Sequence, residues 1–223
     1  MEKKYKLTEE TINVEGKTLY RIEALKDFAN IKKGDKGGFV EKEDNLSHED
    51  NCWVYDNAIV YGDAVVYGDA EVRQHAQVFG KAKVRQYASV CDYTVVCGNA
   101  YICGNAYIRG KAIIHGDSMV CDNAVVRNNA RVFGDTCLCG NAEVCGDAEI
   151  TSDTDYIVFK NWWSSGRYFT WTRSNNMWKV GCFYGTGEEL IDKAYKDSEL
   201  SGREYERVVR YVETILKDNN VDA

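Results

Sequence analysis

"YDNAIVYGDAVVYGDAEV", residues 55–72, says nearly the same thing every six residues. In each unit a small residue stands two places ahead of an aliphatic one, and a turn-forming residue, usually followed by Asn or Asp, stands two places after it. The frame holds without a slip from Asn51 to Ser152. Its aliphatic position runs from Val54, Val60 and Val66 to Val144 and Ile150, and is Val, Ile or Leu in all seventeen units. The small position, from Cys52 and Ala58 to Ala148, is Ala, Ser, Thr or Cys throughout.

Residues two apart on a strand face the same side, so the small and aliphatic positions together line an interior while their neighbours point out. The turn position is mostly glycine, which tolerates positive φ, with Asn and Asp the next most tolerant. Each unit therefore reads as a short strand and a corner. A helix is excluded, because apolar positions at offsets of 2 and 6 do not follow a 3.6-residue period. The complete lack of proline suits a region whose backbone N–H groups are needed for pairing.

A fixed short period signals a solenoid. On these residues the chain resembles the hexapeptide-repeat family of left-handed parallel β-helices, in which three units make one triangular coil. The resemblance implies five to six coils over residues 51–152; at roughly 4.8 Å per coil this is a prism roughly 27 Å tall. For function it implies little, since acyltransferases, carbonic anhydrase-like enzymes and non-catalytic proteins share the repeat. Trimers are typical of the family.

Residues eighteen apart stack in such a coil, which sorts the outward positions into three faces. The face of Val54, Val72 and Val90 is mixed and wettable, with Tyr55, Arg73, Arg109 and Arg127. The second is apolar, with Ile59, Val95 and Ile113 beside Tyr61, Phe79 and Phe133, and its corner is glycine in five successive coils, Gly62, Gly80, Gly98, Gly116 and Gly134. The third carries Tyr101, Met119 and Cys137 beside Cys103, Cys121 and Cys139. Apolar surface of this extent marks an interface. Ile59, Tyr61, Phe79, Val95, Gly98, Ile113 and Phe133 are the candidate contacts of a homotrimer, the glycine edge allowing close approach.

Residues 1–50 read as an N-terminal β cap, with strands around Glu15-Gly16 and a turn region at "KKGDKGGFVE". Residues 153–223 read as a small α+β domain: strands separated by turns at Ser164-Ser165-Gly166 and Asn175-Asn176, a helix opened by a Thr186/Glu189 capping box, and a second starting near Ser201. The second carries an apolar stripe of Tyr205, Val208, Val209, Val212, Ile215 and Leu216. Trp162, Trp163, Arg167, Trp171 and Arg173 gather aromatic and cationic side chains there, a pattern able to stack a base and hold a phosphate. The arrangement as a whole, from "GDKGGFVEKEDNLS" to "NWWSSGRYFTWTRSNNMWKVGCFYGTGEEL", resembles uncharacterised proteins carried by bacteriophages and prophages of gut bacteria.

A net charge of −7 with interspersed signs makes a nucleic acid polymer or an anionic membrane a poor partner. No stretch has the length of a signal peptide core or a membrane span, so a cytoplasmic protein is expected, in the host cell if phage-encoded. None of the nine cysteines forms a CxxC pair. His48, His75 and His115 fall on different columns, so no metal, cofactor or catalytic set is expected. The reading is a non-catalytic, oligomeric binding protein for a host protein or a small anionic ligand, with counter-defence by sequestering a nucleotide immune signal as its natural role. The alternative is a hexapeptide-repeat acyltransferase using an acyl-CoA donor, with His115 as base.

Overall fold

A computed structural model describes residues 2–163 and 165–219. The chain divides into two compact units, one ending at Asp155 and one beginning at Tyr156.

The first unit opens with β1 (Tyr5–Val14), β2 (Lys17–Ala24) and β3 (Lys36–Val40). Two-residue strands follow every six residues, from β4 (Trp53–Val54), β5 (Ile59–Val60) and β6 (Val65–Val66) to β20 (Glu149–Ile150), giving the seventeen expected from the repeat. They stack as a parallel β-solenoid with residue i paired to i+18, as in Val54 with Val72, Val60 with Val78 and Val66 with Val84. Two columns hold six strands and one holds five, the column of β5 being extended by β3, β2 and β1. All seventeen aliphatic residues are 0 % exposed and the small residues at most 2 %.

Two of the polar small residues satisfy their hydroxyls on the preceding corner: Ser118 Oγ donates to the His115 carbonyl (2.8 Å) and Thr136 Oγ1 to that of Phe133 (2.9 Å). Thr94 Oγ1 is buried with no hydrogen-bond partner. Removing an unmade buried hydrogen bond while keeping shape is neutral to favourable. Thr94→Val is therefore expected to stabilise the solenoid by about 1 kcal/mol, read as a higher denaturant midpoint at unchanged slope.

The corners explain the glycine edge without a second subunit. Gly98 has φ +70°, and a Cβ there would lie 2.9 Å from the Gly116 amide nitrogen on the next coil. Elsewhere, residues at positive φ use their side chains to hold the coil above or below. Asp56 accepts from the Gln74 N–H (3.0 Å), Gln74 from Asp92 (2.7 Å) and Asp92 from Gly110 (2.8 Å).

The segment read as a turn region contains a strand instead. β3 pairs antiparallel with β2 and parallel with β5, converting a hairpin into the first rung of the solenoid. Gly37 and Gly38 permit backbone approach there and make no turn: Cβ atoms would sit 2.5 Å from the Val54 carbonyl oxygen and 2.4 Å from that of Ala58. The hairpin also does more than close an end. Ile12, Val14, Leu19 and Phe39 pack with Ile59, Tyr61 and Phe79, covering the upper part of the second face.

Glu41 ties this cap down, accepting from Lys17 Nζ (2.8 Å) and the Gly62 N–H (2.6 Å). The Lys17 ammonium first, and the Gly62 N–H second, hold its carboxyl below the ordinary value of 4.5. A carboxylate whose pKa is depressed on folding contributes stability that is present above 4.5 and lost as pH falls through its folded value. Amide exchange across β1–β3 is expected to accelerate in that acid window while coils remote from the cap stay protected, and Glu41→Gln is expected to loosen the cap already at neutral pH.

In the second unit β21 (Tyr156–Lys160), β22 (Tyr168–Thr172), β23 (Met177–Val180) and β24 (Phe183–Gly185) form an antiparallel meander, followed by α1 (Gly187–Asp197) and α2 (Glu199–Asn219). The capping box is present: Thr186 Oγ1 accepts from the Glu189 N–H and Glu189 Oε2 from the Thr186 N–H. The second helix begins at Glu199, before the expected Ser201, because Ser198 Oγ accepts from the Ser201 N–H and caps it. Phe169, Trp171, Trp178, Val180, Leu190, Ile191, Val209 and Val212 make the core, with Tyr205, Val208 and Leu216 packed against it. No helix among the described residues is long and apolar enough to cross a membrane.

Candidate functional site

The candidate aromatic and basic residues of the second unit do not form one group. Trp171 is 2 % exposed and its Nε1 donates to Asn176 Oδ1 (2.9 Å), so it is a core residue closed to a ligand. Its place on β22, opposite Trp178 of β23, puts both rings on the inward side of the sheet. Trp163 is half-buried, edge-on to Tyr205 at 6.1 Å. Trp162 is the opposite case at 83 % exposure, its ring perpendicular to that of Trp163. The loop carrying it is closed by the Asn161 N–H donating to the Arg167 carbonyl (2.7 Å), while Asn161 Oδ1 accepts from the Trp163 N–H (3.2 Å). Ser164 of the expected turn lies outside the described residues. Arg173 is exposed beyond the end of β22.

Arg167 does reach a concave site. A cleft of about 210 Å³ is lined by Arg167, Val180, Cys182, Phe183, Leu190, Lys193, Ala194, Asp197 and Tyr205. Its floor is apolar and two cations stand against one carboxylate. Lys193 is not singled out by the sequence; the helix brings it here, since Leu190, Lys193, Ala194 and Asp197 share one face of α1, and Leu190 and Ala194 are the buried ones. A second cleft of about 110 Å³, behind Trp171 and Trp178, is rimmed by Glu188 and Glu213 and is unsuited to an anion.

On the solenoid, the candidate interface is cut in two. Ile59 and Tyr61 are buried beneath the N-terminal hairpin and Phe79 is stacked under Tyr61 at 4.9 Å, so these three belong to the chain's own packing. Val95, Ile113 and Phe133 remain partly exposed and Gly98 exposed. His115 stacks on Phe133 with ring centroids 5.0 Å apart. His48 lies against Tyr5 and His75 against Tyr93, so each histidine has an aromatic partner. Burial lowers the His48 pKa first, and the nearby Glu43 carboxylate opposes that shift.

The first face is as wettable as its sequence implies. The Arg73 guanidinium sits over the Tyr55 ring at 4.0 Å and pairs with Glu71 at 2.7 Å, and Arg127 pairs with Glu143 at 2.7 Å. A broad depression of about 520 Å³ on this face is lined by Asp56, Glu71, Asp92 and a single cation, Arg73, together with polar and aromatic neighbours. Its charge is wrong for an anion.

No family model matches the chain, and no curated protein matches it.

Proposed function

We propose that the chain is a non-catalytic binding protein whose solenoid is the scaffold and whose C-terminal cleft holds a small anion. The observation that carries this is the meeting of Arg167 and Lys193 in one cleft with Phe183 and Tyr205, in a chain of net charge −7. Guanidinium and ammonium donors make strong charge-assisted hydrogen bonds to phosphate or carboxylate, and an adjacent ring gives a flat group something to rest on. Clefts that enclose a whole drug-sized ligand run to about 300–1,000 Å³. At about 210 Å³ this one suits a phosphate group and part of a ring, leaving the rest of a nucleotide outside.

The hexapeptide pattern and the resemblance to phage-carried proteins support a host-derived ligand. A nucleotide immune signal has the matching charge and ring chemistry, which makes sequestration in the host cytoplasm the role proposed. Calorimetric titration of cyclic and linear nucleotides, and of acetyl-CoA, into the full chain tests it. Nucleotide binding is the expected result. Binding of acetyl-CoA with thiol release on adding amine or alcohol acceptors establishes the acyltransferase reading in its place, and capture of a host protein with no nucleotide binding also overturns the proposal.

A homotrimer assembled through Val95, Ile113 and Phe133 belongs to the same reading. Phe133→Glu is expected to lower the mass measured by light scattering while leaving the far-UV spectrum intact. Gly98→Arg is a poor probe, since it strains its own corner. A wild-type monomer at micromolar concentration removes the trimer.

A further inference from the structure

The third column of the solenoid concentrates sulfur. Leu138 is fully buried, so Cys137 and Cys139 on either side of it face outward, as do Met119 and Cys121 around Val120, one coil earlier. Cys103 continues the column one coil further back: its N–H donates to the Val120 carbonyl and that of Cys121 to Leu138, both at 3.0 Å. In-register strands set these side chains about 4.8 Å apart at the backbone. Cys137, Cys103 and Cys139 all stand close enough to Cys121 to act on its thiol electrostatically. None of the four is in a disulfide, and they are graded from buried at Cys103 to exposed at Cys139.

We propose that this cluster is a binding site for a soft monovalent cation, copper(I) or silver(I), held between two thiolates with Cys121 as the shared ligand to Cys103 or Cys137. Thiolate and thioether sulfur select soft ions. Two coordination is what the fold can offer, because among the described residues no three His, Cys, Asp or Glu side chains are grouped around a single point. A structural zinc ion requires four ligands in a tetrahedron, which strand-fixed side chains in a flat ladder do not supply. Binding is M⁺ + 2 RSH → [RS–M–SR]⁻ + 2 H⁺, two S–H bonds being exchanged for two S–M bonds with no change of oxidation state. The product's negative charge has a counter-charge at hand: Arg85 lies next to Cys103, and its Nε is buried with no hydrogen-bond partner.

The test is anaerobic titration of the full chain with copper(I), kept reduced by ascorbate, against a chromogenic copper(I) chelator. Wild type is expected to withhold at least one ion per chain from the chelator. Cys121→Ser is expected to lose it with an unchanged far-UV spectrum, while Cys182→Ser, in the other unit, keeps it. Release of two protons makes apparent affinity rise by up to about 100-fold per pH unit below the thiol pKa values. If Cys121→Ser alters the fold, Cys103→Ala and Cys137→Ser made together carry the same expectation. The proposal is overturned if wild type withholds no copper, if loss follows Cys182→Ser instead, if the cluster variants retain the ion in full, or if zinc competes on equal terms.

Discussion

Val96→Asp is expected to unfold the solenoid. Val96 is 0 % exposed and stacks in register between Val78 and Ile114 of the neighbouring coils. A carboxylate there is enclosed between the aliphatic side chains of the coils on either side. An isolated buried charge costs several kcal/mol even after the site relaxes, and neutralising it by protonation still leaves a buried polar group without partners. Domains are stable by only about 5–15 kcal/mol, so one such group removes most of the margin. The comparator is Cys121→Ser, a single-atom change at an outward position of the adjacent column, expected to shift stability by less than about 1 kcal/mol. Hydrogen exchange read strand by strand is the measurement of choice, because a two-unit chain need not unfold as one. Equal losses from the two substitutions contradict the inward and outward assignment on which the whole frame rests.

Trp171→Ala is expected to cost the second unit about 3–5 kcal/mol, the range for truncating a large buried aromatic. Trp171 packs among Phe169, Trp178, Val209 and Val212 in a unit of fewer than seventy residues, where so small a core has little to spare. Trp162→Ala removes a ring of the same size that is 83 % exposed, and is expected to leave stability within about 0.5 kcal/mol. Exchange of the β21–β24 amides distinguishes the two. If Trp162→Ala proves the more destabilising, the core is wrongly drawn and Trp171 returns as a candidate ligand contact.

The contrast between these two tryptophans shows what a sequence can and cannot display. The solenoid was fully legible because its period is local: every inward residue is named by its offset within six, and each coil repeats the test. The Thr186 capping box was legible for the same reason. In contrast, which face of a strand is buried in a unit without a repeat depends on what packs against it, so Trp162, Trp163 and Trp171 read alike until the helices were placed. Coverage of Ile59, Tyr61 and Phe79 was hidden because the covering residues, Ile12 to Phe39, come from a distant segment, and because Gly37-Gly38 reads equally as turn or as close backbone contact. Lys193 was overlooked since a helix with charged residues on several sides offers no reason to single one out. Only the site opposite, at Arg167, gives it a role.

The decisive measurement is titration of inorganic phosphate and of a cyclic mononucleotide into the full chain and into the Arg167→Ala/Lys193→Ala double variant. Each charged hydrogen bond lost is worth about 1.5–3 kcal/mol, so the double variant is expected to bind at least about 100-fold more weakly, with both units folded as judged by exchange. Binding of equal strength by wild type and variant, or no binding of either probe by wild type, contradicts an anion site in this cleft and moves the search for the working surface to the faces of the solenoid.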